Sequence, residues 1–328
     1  MPFRLPFGPK RSGSGYDQLK QPLLGGSPAI QTSNTSSPVS KPFNTNRNRV
    51  FLRVCDINDI DLAKEYLEQQ PDLVNIVNGY KMTPLHIASE KGHLDIVRLL
   101  IENKADVNKD ADGITPIILA SKNGHLDIVK LLIENNAREE KSSLFTACAY
   151  DHKEIVELLI NKFYKNAIPN HDDGRSLLHL SIKDNAQNVT KFLIENTNLL
   201  NEVDKSEKTA IFIASEKDDK EAVELLIKKG ADINKCDYEG ISPIHVASLN
   251  LNSEIVRMLF NAGAKIELEK VTKIQQTIKS DFDIEKEYIQ DSNSDELAKK
   301  QERFDAMNLM LDKIKNLLEI QAGDKKLV

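Results

Sequence analysis

The side chains best suited to chemistry in this chain are its seven histidines: His86, His93, His125, His152, His171, His179 and His245. Acid–base or metal chemistry would require them to converge with a nucleophile, a carboxylate of raised pKa or further ligands. Six of them instead recur in two registers, with His86, His179 and His245 in one and His93, His125 and His152 in the other. Recurrence of that kind predicts a structural task. His171 stands apart beside Asp172 and Asp173, and without further ligands it reads as a solvated loop residue. Cys55, Cys148 and Cys236 are too widely spaced for a disulfide framework or a structural zinc site, so a reducing, cytoplasmic setting is expected. Cys148, next to Ala147, reads as packing. Ser12-Gly13-Ser14-Gly15 lacks the spacing of a phosphate loop, and there is no His-Glu-x-x-His. The acids Asp110, Asp112, Asp237 and Glu239 read as solvated, not as a catalytic pair. No catalysis, cofactor or metal is expected.

The elements that must carry these residues follow from a repeat. A Thr or Ser opens a unit at Thr83, Thr115, Ser142, Ser176, Thr209 and Ser242, at successive gaps of 32, 27, 34, 33 and 33. A second apolar block, opening at Ile96, Ile128, Ile155, Val189, Ala222 and Ile255, shows the same gaps. Two signals in phase at about 33 residues mark one supersecondary unit repeated.

Residues Gly79 to Asn108 show how one unit folds. Thr83 is an N-cap whose hydroxyl can accept from orphan amides, and Pro84 takes the first helical position, where a missing N–H costs nothing. Leu85, Ala88 and Ser89 give this short helix an apolar or small face, and Gly92-His93 ends it in a tight turn. A second helix from Leu94 carries Ile96, Val97, Leu99, Leu100 and Ile101, too many apolar residues for a surface helix, so neighbouring units must cover it. Ala105-Asp106-Val107-Asn108 then leads through Lys109 to Gly113 as a turn.

Thr83-Pro84-Leu85-His86-Ile87-Ala88, Gly92-His93 and Ala105-Asp106-Val107-Asn108 closely resemble the ankyrin repeat, and pieces recur at Thr115-Pro116-Ile117, Gly124-His125, Ser176-Leu177-Leu178-His179, Gly230-Ala231-Asp232-Ile233-Asn234 and Ser242-Pro243-Ile244-His245. The resemblance implies an all-α solenoid of about seven helix-turn-helix units with short β-turn fingers. It spans residues 50–266, with units starting near 50, 79, 112, 139, 173, 206 and 239. It also implies that the recurring histidines hold turns and join adjacent units by hydrogen bonds. The first unit, from Val50, lacks the Thr-Pro start, as an atypical capping repeat would.

Departures from the pattern carry expectations too. The gap of 27 before Ser142 predicts a truncated or absent finger between the third and fourth units, and makes the fourth the weak joint. Where the family favours glycine after the second helix, this chain keeps Gly230 and Gly263 but has Lys104, Phe163 and Thr197. Those ends are expected to be strained or differently shaped.

Residues 1–49 are a different polymer, with seven of the twelve prolines, seven basic residues and one acid, and are read as a disordered tail. Ser27-Pro28 and Ser37-Pro38 have the form of phosphorylation sites, Tyr16-Asp17-Gln18-Leu19 that of a sorting signal, and Phe3, Leu5 and Phe7 among basic residues suit contact with anionic membrane. The whole chain carries a formal charge of -6, so the rest holds -12, which disfavours nucleic acid. No apolar run approaches the roughly 20 residues a spanning helix requires, and no secretory signal is expected.

The resemblance implies recognition of another protein through the concave side. The expected contacts are Ile87, Glu90 and Lys91; Leu119, Lys122 and Asn123; Thr146 and Tyr150; Leu180, Lys183 and Asp184; Ile213, Glu216 and Lys217; and Val246, Leu249 and Asn250, with Tyr238 on a finger. Apolar residues at the centre of this stripe, Tyr150 and Tyr238 foremost, would anchor the partner while flanking charges set register. Residues 267–328 form a C-terminal helical segment. An early helix is expected around Val271, Ile274 and Ile278. A second has Leu297, Phe304, Leu311 and Leu318 in heptad spacing with Met307 and Ile314, Ser294 as N-cap and Gly323 as stop. Capping of the last repeat is favoured over a dimer through 294–322. The functional expectation is a non-enzymatic interaction scaffold or adaptor. The alternatives are an effector delivered into a host cell by an intracellular bacterium, and a substrate-targeting subunit with a small catalytic tail.

Overall fold

The computed structural model describes residues 45–138, 141–288 and 294–324. The expectations for residues 1–44 lie outside the described residues, and the first helix begins at Thr45, inside the segment read as tail. The chain divides into two compact bodies, Met1–Lys165 and Asn166–Val328.

Four helix pairs build the first body: α1 (Thr45–Asp56) with α2 (Ile60–Gln69), α3 (Pro84–Lys91) with α4 (Leu94–Glu102), α5 (Pro116–Lys122) with α6 (Leu126–Glu134), and α7 (Lys141–Ala149) with α8 (Lys153–Phe163). The first helices pack in the row α1, α3, α5, α7 and the second helices in the row α2, α4, α6, α8. The second body holds α9 (Leu177–Lys183) with α10 (Gln187–Asn196), α11 (Ala210–Glu216) with α12 (Lys220–Lys228), α13 (Pro243–Leu249) with α14 (Ser253–Asn261), and then α15 (Leu268–Tyr288) and α16 (Ser294–Asp324). Here α15 continues the first-helix row against α13, and α16 continues the second-helix row against α14. The only strand-like pairing among the described residues is an isolated bridge between Val203 and Thr209 in a finger.

Local chemistry explains the pairs. Thr83 and Thr209 accept from the amides three residues on, and Pro84, Pro116 and Pro243 sit at the first helical position. Each pair turns through one left-handed residue: Asn58, Gly92, Gly124, Asp151, Asn185, Asp218 or Leu251. Between the rows lie the apolar faces of the second helices, such as Ile96, Val97 and Leu100 of α4 or Ile155, Val156 and Leu159 of α8, all buried. Each fully buried aliphatic side chain contributes on the order of 1.5–3 kcal/mol, and only an adjacent unit supplies its cover.

Only six residues separate α6, which ends at Glu134, from α7, which begins at Lys141, too few for a finger like the one that fills the interval between Glu102 of α4 and Pro116 of α5. The non-glycine helix ends separate into two kinds. Lys104 takes the left-handed conformation itself, at φ 66°, as does Asn136 after α6. After α8 and α10 the chain leaves instead through Tyr164 at φ -122° and Thr197 at φ -129°, with no left-handed residue.

The heptad seam of α16 is used internally. Met307, Leu311 and Ile314 are fully buried, and Phe304 stacks on Phe282 of α15 at 4.6 Å between ring centroids. Val271, Ile274 and Ile278 of α15 are buried on the other side of this contact. Helix α16 starts at Ser294 and runs through Gly323, where a stop was expected, to Asp324.

Candidate partner-binding faces

The recurring polar side chains join neighbouring units. His86 Nδ1 accepts from the Thr83 amide at 3.1 Å, which leaves the proton on Nε2 to be donated to the Ile114 carbonyl of the next finger, also at 3.1 Å. His179 repeats this with Ser176 and the Lys208 carbonyl. Burial holds both rings below the usual histidine pKa, so they stay neutral, as this bonding requires. The turn histidines reach backwards instead. Nε2 of His93, His125 and His152 donates to the carbonyls of Asp56, Glu90 and Lys122 at 2.9, 3.1 and 2.9 Å. In the last unit Asn252 does the same through Nδ2, to the Ser215 carbonyl.

Asparagines at the ends of units add a second ladder. Oδ1 of Asn75 and Asn108 accepts from the amides of Asp106 and Arg138 in the first body, and Oδ1 of Asn201 and Asn234 from those of Asp232 and Lys265 in the second.

One histidine departs from the expectation that all of them join units. His245 Nδ1 holds its own turn through Ser242, but Nε2 is buried and has no hydrogen-bond partner among the described residues. Helix α15 stands where the next finger would present a carbonyl. Burial, with Lys270 nearby, pushes this ring down to about 4. At the equivalent position in the third unit, where the next finger is absent, the residue is Ile118, and no donor is stranded.

His171 is not merely solvated. It pairs with Asp173 at 2.9 Å, and Asp173 also receives the Arg175 guanidinium. Burial opposes ionisation of Asp173, but the bonds from Arg175 and His171 outweigh it and hold the carboxyl well below its usual range. The cluster is a closed finger brace. Burial pushes the Cys55 thiol up to about 12, so it is no nucleophile at neutral pH. No group of three or more His, Cys, Asp or Glu side chains among the described residues is placed to hold a metal ion, and no described helix is long and apolar enough to cross a membrane.

The expected contact stripe is only partly at the surface. Its intended apolar centre is inside: Leu119, Thr146 and Leu180 are fully buried, Ile213 and Val246 nearly so, and Ile87 half-buried. Adjacent first helices pack side by side along the line these residues occupy, so they serve as core. What emerges is the last turn of each first helix. In the first body this edge presents Glu90, Lys91, Lys122 and Asn123, with Lys122 lying over the ring of half-buried Tyr150 at 5.8 Å from its centroid. In the second it presents Lys183, Asp184, Glu216, Lys217, Leu249 and Asn250.

Two finger tyrosines stand clear of the framework. Tyr238 is 66% exposed, and Tyr80, which the repeat pattern did not single out, is 71% exposed. The Asn78 carboxamide accepts from the Tyr80 and Met82 amides and so shapes the finger that carries Tyr80. Asp237 does the same for the Tyr238 finger through Glu239 and Ile241. An exposed aromatic just after an Asx-turn residue was the signal available in the sequence.

Comparison with known proteins agrees with this geometry. A solved ankyrin repeat domain of human ASB11 superposes with a TM-score of 0.56 at 22% identity, covering 66% of this chain and 99% of that one. Among curated proteins, the chicken (Gallus gallus) nuclear factor NF-kappa-B p105 subunit is 24% identical over 72% of this chain and 22% of its own length. The Arabidopsis thaliana E3 ubiquitin-protein ligase XBAT33 is 26% identical over 56% of this chain and 30% of its own. Mouse (Mus musculus) ankyrin repeat and SAM domain-containing protein 6 is 43% identical over 53 residues, 16% of this chain and 6% of that protein. This chain thus spans less than a third of the length of these curated relatives. A family model for ankyrin repeats in three copies matches residues 51–143, 135–204 and 191–270. By that match, and by unit-to-unit rungs that recur along both bodies, the chain belongs to the ankyrin repeat family.

Proposed function

We propose that this chain is a non-catalytic scaffold or adaptor that recognises another protein through the last turns of its first helices and its fingers. One observation carries the reading. Five of the six recurring histidines and the asparagines above are engaged between units, while the last turns of the first helices and the fingers face solvent and include the large side chains Tyr80, Tyr238 and Leu249. Exposed aromatic and aliphatic groups flanked by mixed charge are what a protein partner can desolvate and register against. Glu90, Lys91, Asn123 and Tyr150 serve the first body in this reading, and Asp184, Lys217 and Asn250 the second. Three cysteines that form no disulfide, two of them buried, suit action in a reducing cytoplasm.

The test is affinity capture with the full chain, followed by titration of each captured protein against the purified wild type and a Tyr80→Ala, Tyr238→Ala variant. The reading requires a partner that binds the wild type at defined stoichiometry and the variant at least about tenfold more weakly, a difference of ~1.4 kcal/mol. Partners bound equally by both forms would remove the fingers from the interface.

A further inference from the structure

Helix α16 is apolar on two opposite sides. One side, Met307, Leu311 and Ile314, is buried against α14 and α15. The other faces water, with Leu309 58%, Leu317 47% and Ile320 60% exposed. A helix that closes an array needs a polar outer face, and this one keeps aliphatic side chains there across three turns. Written as a heptad, the outer face has Ala306, Lys313 and Ile320 in one core row and Leu309 and Asn316 in the other, with Leu317 alongside.

That arrangement matches itself under a two-fold axis. If a second α16 runs antiparallel about a centre between Ile314 and Lys315, each Leu309 meets the other copy's Ile320, and each Lys313 meets the other copy's Asn316. Lys313 then also lies one turn from the other copy's Glu319, so cation and carboxylate approach where the axis crosses. In this register the Lys313 side chains of the two copies also stand one turn apart beside the axis, each between Asn316 and Glu319 of the other copy. We propose that the outer face of α16 is a self-association surface, on which a second copy of this chain packs antiparallel with Leu309 against Ile320. The surface is distinct from the first-helix edges and fingers and independent of any partner they hold. Only about two heptads overlap, around a polar layer of Lys313 and Asn316, so the dimer is a weak one that forms with rising concentration.

Sedimentation equilibrium of the full chain tests this. The expected result is a monomer mass near ~1 µM moving toward the dimer mass by ~100 µM, and a Leu309→Glu, Ile320→Glu variant that needs at least about tenfold more protein for the same shift. Both positions are exposed, and unchanged helicity and melting of the variant confirm that the fold is intact. Orientation is read from spin labels in a Cys236→Ser background. Labels on Asn316→Cys, an exposed position on the paired face, lie close across the axis, while those on Lys299→Cys lie about 45 Å apart at 1.5 Å rise per residue. A monomer at every concentration overturns the proposal, as does a dimer indifferent to the two glutamates. Short distances at both label sites would mean parallel helices and overturn it equally.

Discussion

Arg303 of α16 donates from Nη2 to the Asn250 carbonyl at 2.9 Å and to the Asn252 side chain at 3.0 Å. The same edge of the two preceding units is held in a similar way: Asn250 Nδ2 donates to the Glu216 carbonyl, and Lys217 Nζ to the Lys183 carbonyl. Arg303 therefore supplies from a long terminal helix the rung that an eighth repeat would have supplied. Arg303→Ala is expected to leave the core of α16 in place but to raise hydrogen exchange at the turn from Asn250 to Asn252. The cost is on the order of 1–2 kcal/mol, because a carbonyl and a carboxamide lose a charged donor. Exchange confined to its wild-type level would show that the rung is ornamental.

The two ends of the histidine series call for opposite outcomes from one substitution. His86→Ile breaks the link to the Ile114 carbonyl and strands it, which is expected to cost about 1–3 kcal/mol. His245→Ile removes a buried donor that has no acceptor and installs the residue type already present at Ile118, so it is expected to be neutral or stabilising. Chemical denaturation of the two variants side by side checks the contrast. Equal losses would mean that His245 finds an acceptor in solution.

Stability should also fall with acid in a predictable window. The folded-state pKa values of His86, His179 and His245 lie below the unfolded value, and that of His245 is about 4. Between that value and about 6.5 the unfolded chain binds more protons, so this stabilisation is complete above pH ~6.5 and is lost as pH drops toward the folded values. The melting temperature is expected to fall by at least a few degrees from pH 7.5 to pH 5 (roughly 2–4 °C per kcal/mol), and His245→Ile should flatten part of that slope. A pH-independent melting temperature over this range would contradict the assignment.

Backbone positions divide in the same testable way. Gly92 has φ 80°, and a Cβ there would lie 2.5 Å from Cε1 of His125; Gly124 stands equally close to the His152 ring. Gly92→Ala should therefore cost on the order of 2 kcal/mol or more, from left-handed strain plus displacement of a ring that bridges units. Lys104→Gly, at φ 66°, should instead stabilise by about 0.5–1 kcal/mol. Urea midpoints of the two variants decide this, and a stabilised Gly92→Ala would refute the packing of His125 on that turn.

Leu119 and Tyr238 separate core from surface. Leu119→Ala is expected to destabilise by about 2–5 kcal/mol, since the side chain is 0% exposed, and to affect binding only through unfolding. Tyr238→Ala, on an exposed finger, should leave the melt unchanged and act on binding alone. Circular dichroism melts distinguish the pair before any partner is known.

The sequence by itself determined the repeated unit and its helices. A Thr-Pro or Ser start, a small-residue first helix, a turn and an over-apolar second helix recur in phase, and such a pattern can become dry only by lateral packing. The absent third finger was equally legible, because six missing residues leave no chain to build one. What the repeat could not tell was which side of a seven-residue helix reaches water. Leu119 and Leu180 follow the histidine position just as a surface stripe would, yet neighbouring helices approach closely enough to enclose them. Nor could it tell that His245 would lose its acceptor to α15, or that α16 would spend its heptad seam inward and leave Leu309 and Ile320 outside. Spacing along a chain sets which residues share a face; only the arrival of a particular neighbour decides whether that face is covered.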